Sequence, residues 1–297
     1  MPGLLFYILL PFIYLISLLP FTILYILSDV LFFILYYITG YRKKIVMANL
    51  RNSFPKKDEA EIRRIARGYY RYFCDLLLEI AKTLTISRRS VKKRCGFSPE
   101  AQALFSKFAG ERKSIILVLG HWGNWEWSGK SFTLLGMQQL YVIYHPLHNK
   151  YFDRLSSRMR RRFGTRIIAM KDTLREMIRR KEEFTATAFL ADQTPPPEGA
   201  YWTTFLNQDT PVFNGTEKIA RKLNFPVIYS RVKRIKRGYY IISAEVLSQE
   251  PAKTGAGELS EMHTRKLEAD IVAMPETWLW SHRRWKHKKP AGGLLIN

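Results

Sequence analysis

Residues 3–28, GLLFYILLPFIYLISLLPFTILYILS, run without a single charged side chain. A helix needs about 20 apolar residues to cross a hydrocarbon core of about 30 Å, so this run is long enough to span a bilayer. Pro11 and Pro20 kink such a span without forbidding it. Asp29 is the only charge before Arg42, so residues 30–38 extend the apolar region, along the interface or back into the bilayer. A cleaved signal peptide does not fit, because the run is long, no basic segment precedes it and no small-x-small site follows. Arg42, Lys43 and Lys44 come next and put this end in the cytoplasm. The expectation is a permanent membrane anchor over residues 1–44, with a cytoplasmic body over residues 45–297 at the inner face of the membrane.

The chain as a whole is strongly basic. Lys and Arg outnumber Asp and Glu by 48 to 25, a net charge of +23. Such a surface seeks polyanions: anionic lipid, an acidic protein or nucleic acid. Cys74 and Cys95 form no C-x-x-C pair and read as ordinary reduced thiols. From residue 45 to 84 the pattern is helical, with a helix start near residue 57 and a dense Arg and Tyr content suited to lipid headgroups. After a turn at Ser98-Pro99 strands and helices alternate. Strands are expected at 115–119, 140–144, 166–169, 184–190, 226–232 and 239–246, the last two as an antiparallel hairpin at the sheet's end. Helices are expected at 124–135, 149–163, 171–181, 214–223 and 258–273. That rhythm predicts an α/β fold with a mostly parallel sheet.

The chemistry concentrates at one corner. Ile115–Gly120 reads as a buried strand ending on a glycine, followed by His121, Trp122, Gly123, Asn124, Trp125 and Glu126 and then a helical run. An imidazole where a strand hands over to a helix stands where open sheets bind their ligands. A His followed five residues later by an acid is a cheap pattern: chance alone supplies roughly 0.5 matches in a chain of this composition. Here there are three, His121 with Glu126, His148 with Asp153 and His263 with Glu268. Five helical residues turn about 500°, so such a pair meets only if the His precedes the helix. His263 falls inside an amphipathic helix and reads as surface chemistry. His121 has Gly123 for a sharp turn and Asn124 as an N-cap. A neutral His takes a proton from a hydroxyl, and a carboxylate on its other nitrogen fixes the tautomer. The chain has no G-x-S-x-G, so direct transfer to an acceptor hydroxyl fits better than a covalent intermediate. The bland alternative is a structural loop histidine with tryptophans packing the core.

Three further stretches carry candidate chemistry. In YHPLHNKYFDRL, Arg154 falls early in a helix, where it suits a bidentate clamp on phosphate. In FLADQTPPPEG, Asp192 ends a strand at the mouth of the sheet. In PETWLWSHRRWKHKKP, tryptophans interleave with basic residues, as at a membrane interface. His282 and His287 lack an acid or Cys arranged beside them, so no metal is expected, and no cofactor.

Taken together, NLRNSFP at 49–55, GHWGNWE at 120–126, YHPLHNKYFDRL at 144–155, LADQTP at 190–195 and PETWLWSHRRWKH at 275–287 resemble the late acyltransferases of lipid A biosynthesis. The resemblance implies an α/β/α sandwich like that of glycerolipid acyltransferases. It implies transfer of an acyl chain from acyl carrier protein to a hydroxyl of a phosphorylated glucosamine disaccharide, the Kdo-bearing tetra-acyl lipid A precursor. It assigns the catalytic H-x4-D/E pair to His121 and Glu126, and the substrate-site Arg and acid to Arg154 and Asp192. Trp122 and Asn124 are expected beside them at the substrate, with Trp125 lining an acyl channel. The chain departs from the family pattern at His145, where a basic residue is usual, and at Thr204–Asn207 in place of Phe-Phe-Gly.

The charge agrees with this resemblance, since acyl carrier protein, the lipid A precursor and the inner membrane are all anionic. A lysophospholipid or aminolipid acyltransferase would keep the same pair and change the acceptor. The nearest match to the Pro-Glu-Gly-Thr element of glycerolipid enzymes, Pro197–Ala200, lacks the Thr. A membrane-anchored nucleic-acid-binding protein would concentrate its charge on one element, whereas here basic residues spread over most helices. No nucleic-acid partner is therefore expected.

Overall fold

The computed structural model describes residues 2–290. Its uncharged N-terminal run is two helices rather than one span: α1 (Pro2–Leu18) and α2 (Phe21–Phe33), the latter continuing as a π-helical turn over Ile34–Ile38. The break falls at Pro20, which has no N–H to donate and pushes Leu19 out of the helical region. Pro11 stays inside α1. The stretch Phe21–Ile38 is long and apolar enough to cross a membrane, by length and composition. Leu4, Leu5, Phe12 and Leu15 on α1 and Ile23, Ile26, Val30 and Phe33 on α2 are exposed. The opposite face of α2, Leu24, Ser28 and Phe32, is buried, and α2 packs on the long helix α4.

Two helices lead into the body, α3 (Lys43–Ser53) and α4 (Glu59–Lys82). Asp58 caps α4 by accepting the Glu61 N–H, which sets its start close to the expected position. Tyr69, Tyr70 and Tyr72 of α4 are fully buried, so these tyrosines belong to the core and not to a lipid face. Next come α5 (Arg88–Arg94), β1 (Cys95–Phe97) and α6 (Pro99–Gly110). Ser98-Pro99 is thus a helix start, Ser98 capping and Pro99 occupying the first turn, where its missing N–H costs nothing.

The rest alternates: β2 (Ile115–Leu119), α7 (Trp125–Thr133), β3 (Gln139–Tyr144), α8 (Lys150–Arg161), β4 (Arg166–Ala169), α9 (Thr173–Arg179), β5 (Thr185–Leu190), β6 (Tyr201–Phe205), β7 (Gln208–Val212), α10 (Gly215–Leu223), β8 (Val227–Lys236), β9 (Tyr239–Ser248) and α11 (Glu258–Ala273). Seven strands form one sheet in the order β1-β9-β8-β2-β5-β3-β4. Its neighbours are parallel except β8 and β9. The hairpin lies one strand inside the edge, because β1 adds alongside β9. Its strands run on through the expected linker, leaving Arg237-Gly238 as the turn, with Gly238 at φ +73°.

Strand β2 shows why both faces are covered. Ile115, Leu117 and Leu119 pack with Phe105 and Phe108 of α6 and Phe132 of α7. Ile116 and Val118 pack with Ile65 and Tyr69 of α4, Ile219 of α10 and Leu267 of α11. Alternate side chains of one apolar strand therefore feed two cores, and the result is an α/β/α sandwich. The β6–β7 hairpin is an addition that sequence reading leaves as loop. Its turn residues Leu206 and Asn207 both have positive φ, the geometry of a tight hairpin turn without the Asn-Gly that announces one.

Candidate active site

Strands β2 and β5 are parallel neighbours in which Leu119 stands opposite Leu190. Two residues beyond each partner come His121 and Asp192, and the Ala191 N–H still donates to the Leu119 carbonyl at 3.0 Å. Strand register alone thus delivers the imidazole and the carboxylate to the same point at the carboxyl end of the sheet. His121 Nδ1 lies 2.6 Å from Asp192 Oδ1. Asp192 Oδ2 accepts the His121 backbone N–H and the Trp278 indole N–H, each at 2.8 Å. Burial alone would raise the Asp192 pKa, but the His121 ring and these donors hold it well below the usual carboxylate range. An ionised Asp192 accepts a hydrogen bond from Nδ1–H, which keeps that proton on Nδ1 and leaves the lone pair of a neutral ring on Nε2. That nitrogen is 3.3 Å from the Gln193 amide nitrogen.

The turn that carries His121 is tied to several other elements. Gly123 has φ +64°, and a Cβ there would overlap the Val232 carbonyl oxygen, so no other residue fits. The Gly123 carbonyl accepts the Tyr72 hydroxyl at 2.7 Å, and its N–H donates to the Thr277 carbonyl at 3.0 Å. Trp122 and Trp278 form an isolated antiparallel bridge. The C-terminal motif is therefore a clasp on the His121 turn: Trp278, Trp280 and Arg284 are buried, rather than laid out at headgroup depth.

Glu126 goes elsewhere. Its Oε1 accepts Arg160 Nε and Nη2 at 3.1 and 3.0 Å, and its Oε2 is 4.0 Å from Lys130 Nζ. Burial pushes its pKa up; the Arg160 and Lys130 charges overcome that and leave it lowered. The same burial pushes Lys130 down to about 8, against the pull of Glu126. The helical start at Trp125 points Glu126 away from the Nδ1 side of His121, so the carboxylate hydrogen-bonded to the imidazole is Asp192.

These groups open into a cavity of about 400 Å³, within the range of small-molecule pockets. Its polar end includes His121, Glu126, Lys130, Arg160 and Gln193, and its apolar wall includes Leu117, Leu119, Phe132, Leu140, Val142 and Leu190. Trp125 packs edge-on against His121 at 4.8 Å between ring centroids and also lines the cavity.

A family model for the bacterial lipid A biosynthesis acyltransferases matches residues 2–287. The chain belongs to this family. The lipid A biosynthesis palmitoleoyltransferase of Escherichia coli (strain K12) is 22% identical over 254 residues, which cover 84% of this chain and 80% of that protein. A lipid A biosynthesis acyltransferase of Shigella flexneri matches to the same extent. Membership makes the protein an acyltransferase.

Within this family member, several sequence-predicted site residues stand outside the cavity. Arg154 is exposed on α8, while Arg160, six residues on, reaches Glu126. Six helical residues amount to about 600°, so the two arginines point roughly 120° apart. Asn124 is fully buried, with Oδ1 capping α7 through the Trp127 N–H at 2.9 Å. Trp122 is buried with its indole N–H on the Met274 carbonyl. Both side chains are thus held within the turn, outside the lining of the cavity. His148 is exposed, and Asp153 accepts the Leu147 N–H. His263 is buried: Leu259, His263, Leu267 and Ile271 form a stripe at four-residue spacing on α11, a pattern that places it inside. Among the described residues, no group of three or more His, Cys, Asp or Glu side chains is placed to hold a metal ion.

Proposed function

We propose that the protein transfers a fatty acyl chain from an acyl carrier protein thioester to a hydroxyl of a lipid A precursor. The observation that carries this reading is the His121–Asp192 pair at the mouth of an apolar cavity. His121 Nε2 takes the proton of the acceptor hydroxyl as its oxygen attacks the thioester carbon. Asp192 holds the tautomer and stabilises the imidazolium that forms. Collapse of the tetrahedral intermediate breaks the C–S bond, and the imidazolium returns its proton to the departing sulfur. A thiol pKa near 8.5 makes that leaving group undemanding. Arg160, aligned by Glu126 through two of its nitrogens, faces the negative charge that develops on the thioester oxygen. The acyl chain lies along the apolar wall.

The exposed apolar faces of α1 and α2 support a seat on the cytoplasmic side of the inner membrane, where the acceptor lipid lies. Net charge +23 suits the anionic donor, acceptor and membrane. The test is acyl transfer by detergent-purified protein, wild type and His121→Ala, with a mixture of acyl carrier protein thioesters as donors. The tetra-acyl disaccharide and lysophosphatidic acid are offered in parallel as acceptors, with products read by mass spectrometry. An added acyl chain on the disaccharide that disappears with the variant supports the reading. Transfer only to the lysolipid overturns the acceptor assignment, and undiminished transfer by His121→Ala overturns the mechanism.

A further inference from the structure

Behind the turn that carries His121, away from the cavity, lies a buried carboxylate that the mechanism above does not use. Glu79, near the end of α4, has no exposed surface. Its Oε2 accepts the Asn124 side-chain N–H and the Tyr240 hydroxyl, each at 2.7 Å, and its Oε1 accepts the Tyr25 hydroxyl at 2.9 Å. Its backbone carbonyl accepts the Trp127 indole N–H at 3.1 Å. Four groups from three other parts of the chain thus converge on one residue: Tyr25 on α2, Asn124 and Trp127 at the start of α7, and Tyr240 on β9. A carboxylate without a salt-bridge partner is costly to bury. Burial does push the Glu79 pKa up, with the Tyr240 hydroxyl pulling the other way.

The consequence runs through one amide. An Asn side chain offers a donor at one end and an acceptor at the other. A carboxylate only accepts, so Glu79 binds the Nδ2 end of Asn124 and turns Oδ1 towards the Trp127 N–H, where it caps α7. The flipped amide would set Oδ1 against the carboxylate and Nδ2 against an N–H. The cap fixes the helix that starts directly after His121–Gly123 and that carries Glu126 and Trp125 into the cavity.

We infer that Glu79 is a positioning residue for acyl transfer, acting through the Asn124 amide to set the turn that presents His121 and Glu126. This rests on the proposed function for its kinetic readout and not for its structural one. The decisive variants exchange donor for acceptor. Asn124→Asp keeps a capping oxygen but places a second carboxylate against Glu79. Glu79→Gln in the same chain restores a donor–acceptor contact, the Gln amide now donating to the introduced carboxylate and to the Tyr240 oxygen.

Single-turnover and steady-state transfer would be measured for wild type, Asn124→Asp, Glu79→Gln and the double variant. Hydrogen exchange over residues 120–128 would be followed in the same preparations. Asn124→Asp should lower kcat by about 10²-fold, the scale of a catalytic group displaced by about 1 Å, with KM changed by less than about threefold. The double variant should recover most of that loss, and exchange protection of 120–128 should fall and recover in parallel. Failure of Glu79→Gln to rescue either kcat or protection overturns the inference. Should the wild type transfer nothing to the disaccharide, the function proposed above fails, while the exchange data still decide the role of Glu79.

Discussion

Two stretches of this chain advertise the same ingredients in sequence, a histidine with an acid five residues on, and they fold into different environments. Residues 120–128 form a closed turn in which Asn124 and Trp127 are fully buried and His121 and Gly123 are tied to other elements. Residues 145–154 stay open: His145 and Leu147 edge the same cavity yet are exposed, His148 and Arg154 are exposed, and among the described residues Asp153 bonds only to its own loop. What separates them is strand register. The first stretch follows β2, whose parallel partner β5 delivers Asp192 beside His121. The second follows β3 near the edge of the sheet, where β4 ends in Ala169 and a 3₁₀ turn whose acid, Asp172, pairs with Arg175 at 2.8 Å and not with a histidine. Local spacing proposes a pair; the neighbouring strand decides which pair exists.

The sharpest way to break that contrast is at Asp192. Asp192→Asn keeps the shape and the Trp278 contact but no longer fixes the neutral tautomer with its lone pair on Nε2. Transfer should fall by roughly 10³- to 10⁴-fold, as in other His–Asp pairs, while the thermal midpoint stays within a few degrees. A loss under tenfold in kcat would show that Asp192 does not orient the base.

Glu126 is the second carboxylate near His121 and gives a smaller effect through a different partner. Glu126→Gln frees the Arg160 guanidinium, and Arg160→Lys loses its two-point contact. Each should lower kcat by about 10- to 10²-fold. The two substitutions should be non-additive, because they remove one shared contact. Full additivity in the double variant would separate Glu126 from Arg160 and return it to a direct role on the imidazole.

Much of this was legible in the residues. The alternation of strands and helices, the strand before His121 and the glycine of its turn follow from apolar patterning and steric necessity. Membership of the acyltransferase family follows from ordered motifs. The acid on His121 was not legible, because Glu126 shares its motif while Asp192 lies 71 positions away and meets it only through β2–β5 register. Arg160 carried a signal that could have been used: it is on the same helix as Arg154 but on a different face. The β6–β7 hairpin lacks a turn-forming dipeptide, and the N-terminal helix break at Pro20 rather than Pro11 depends on how each half packs on the body. Glu79 reads as one more acid on an amphipathic helix, and only the convergence of Tyr25, Asn124 and Tyr240 distinguishes it.

Lys130, on α7 just beyond the first stretch, supplies a pH test of how closed the polar end of the cavity is. Its pKa in the fold is pushed down to about 8 by burial, below the ordinary value of about 10.4. Between those values the unfolded chain binds more protons than the folded one, so stability rises with pH across that window. Wild-type protein should therefore gain in Tm relative to Lys130→Met from about pH 8 to pH 10, by a few degrees, with a flat difference below about pH 8. A gap that stays constant from about pH 7 to 10 would mean that Lys130 reaches water.

The smallest effect is expected at Arg154, and its smallness is informative. An exposed arginine on α8 contributes to the general positive field, while the mechanism proposed above assigns specific charge stabilisation at the cavity to Arg160. Arg154→Ala should then change kcat by less than about twofold and raise KM for the anionic acceptor modestly, by an amount that shrinks as salt is added. Arg160→Ala should cost far more and keep its cost at high salt, since its contact with Glu126 is largely buried. If instead Arg154→Ala proved the more damaging and salt did not soften it, the acceptor's phosphate would have to bind on the outer face of α8. The two stretches would then share one substrate, each supplying a different part of its recognition.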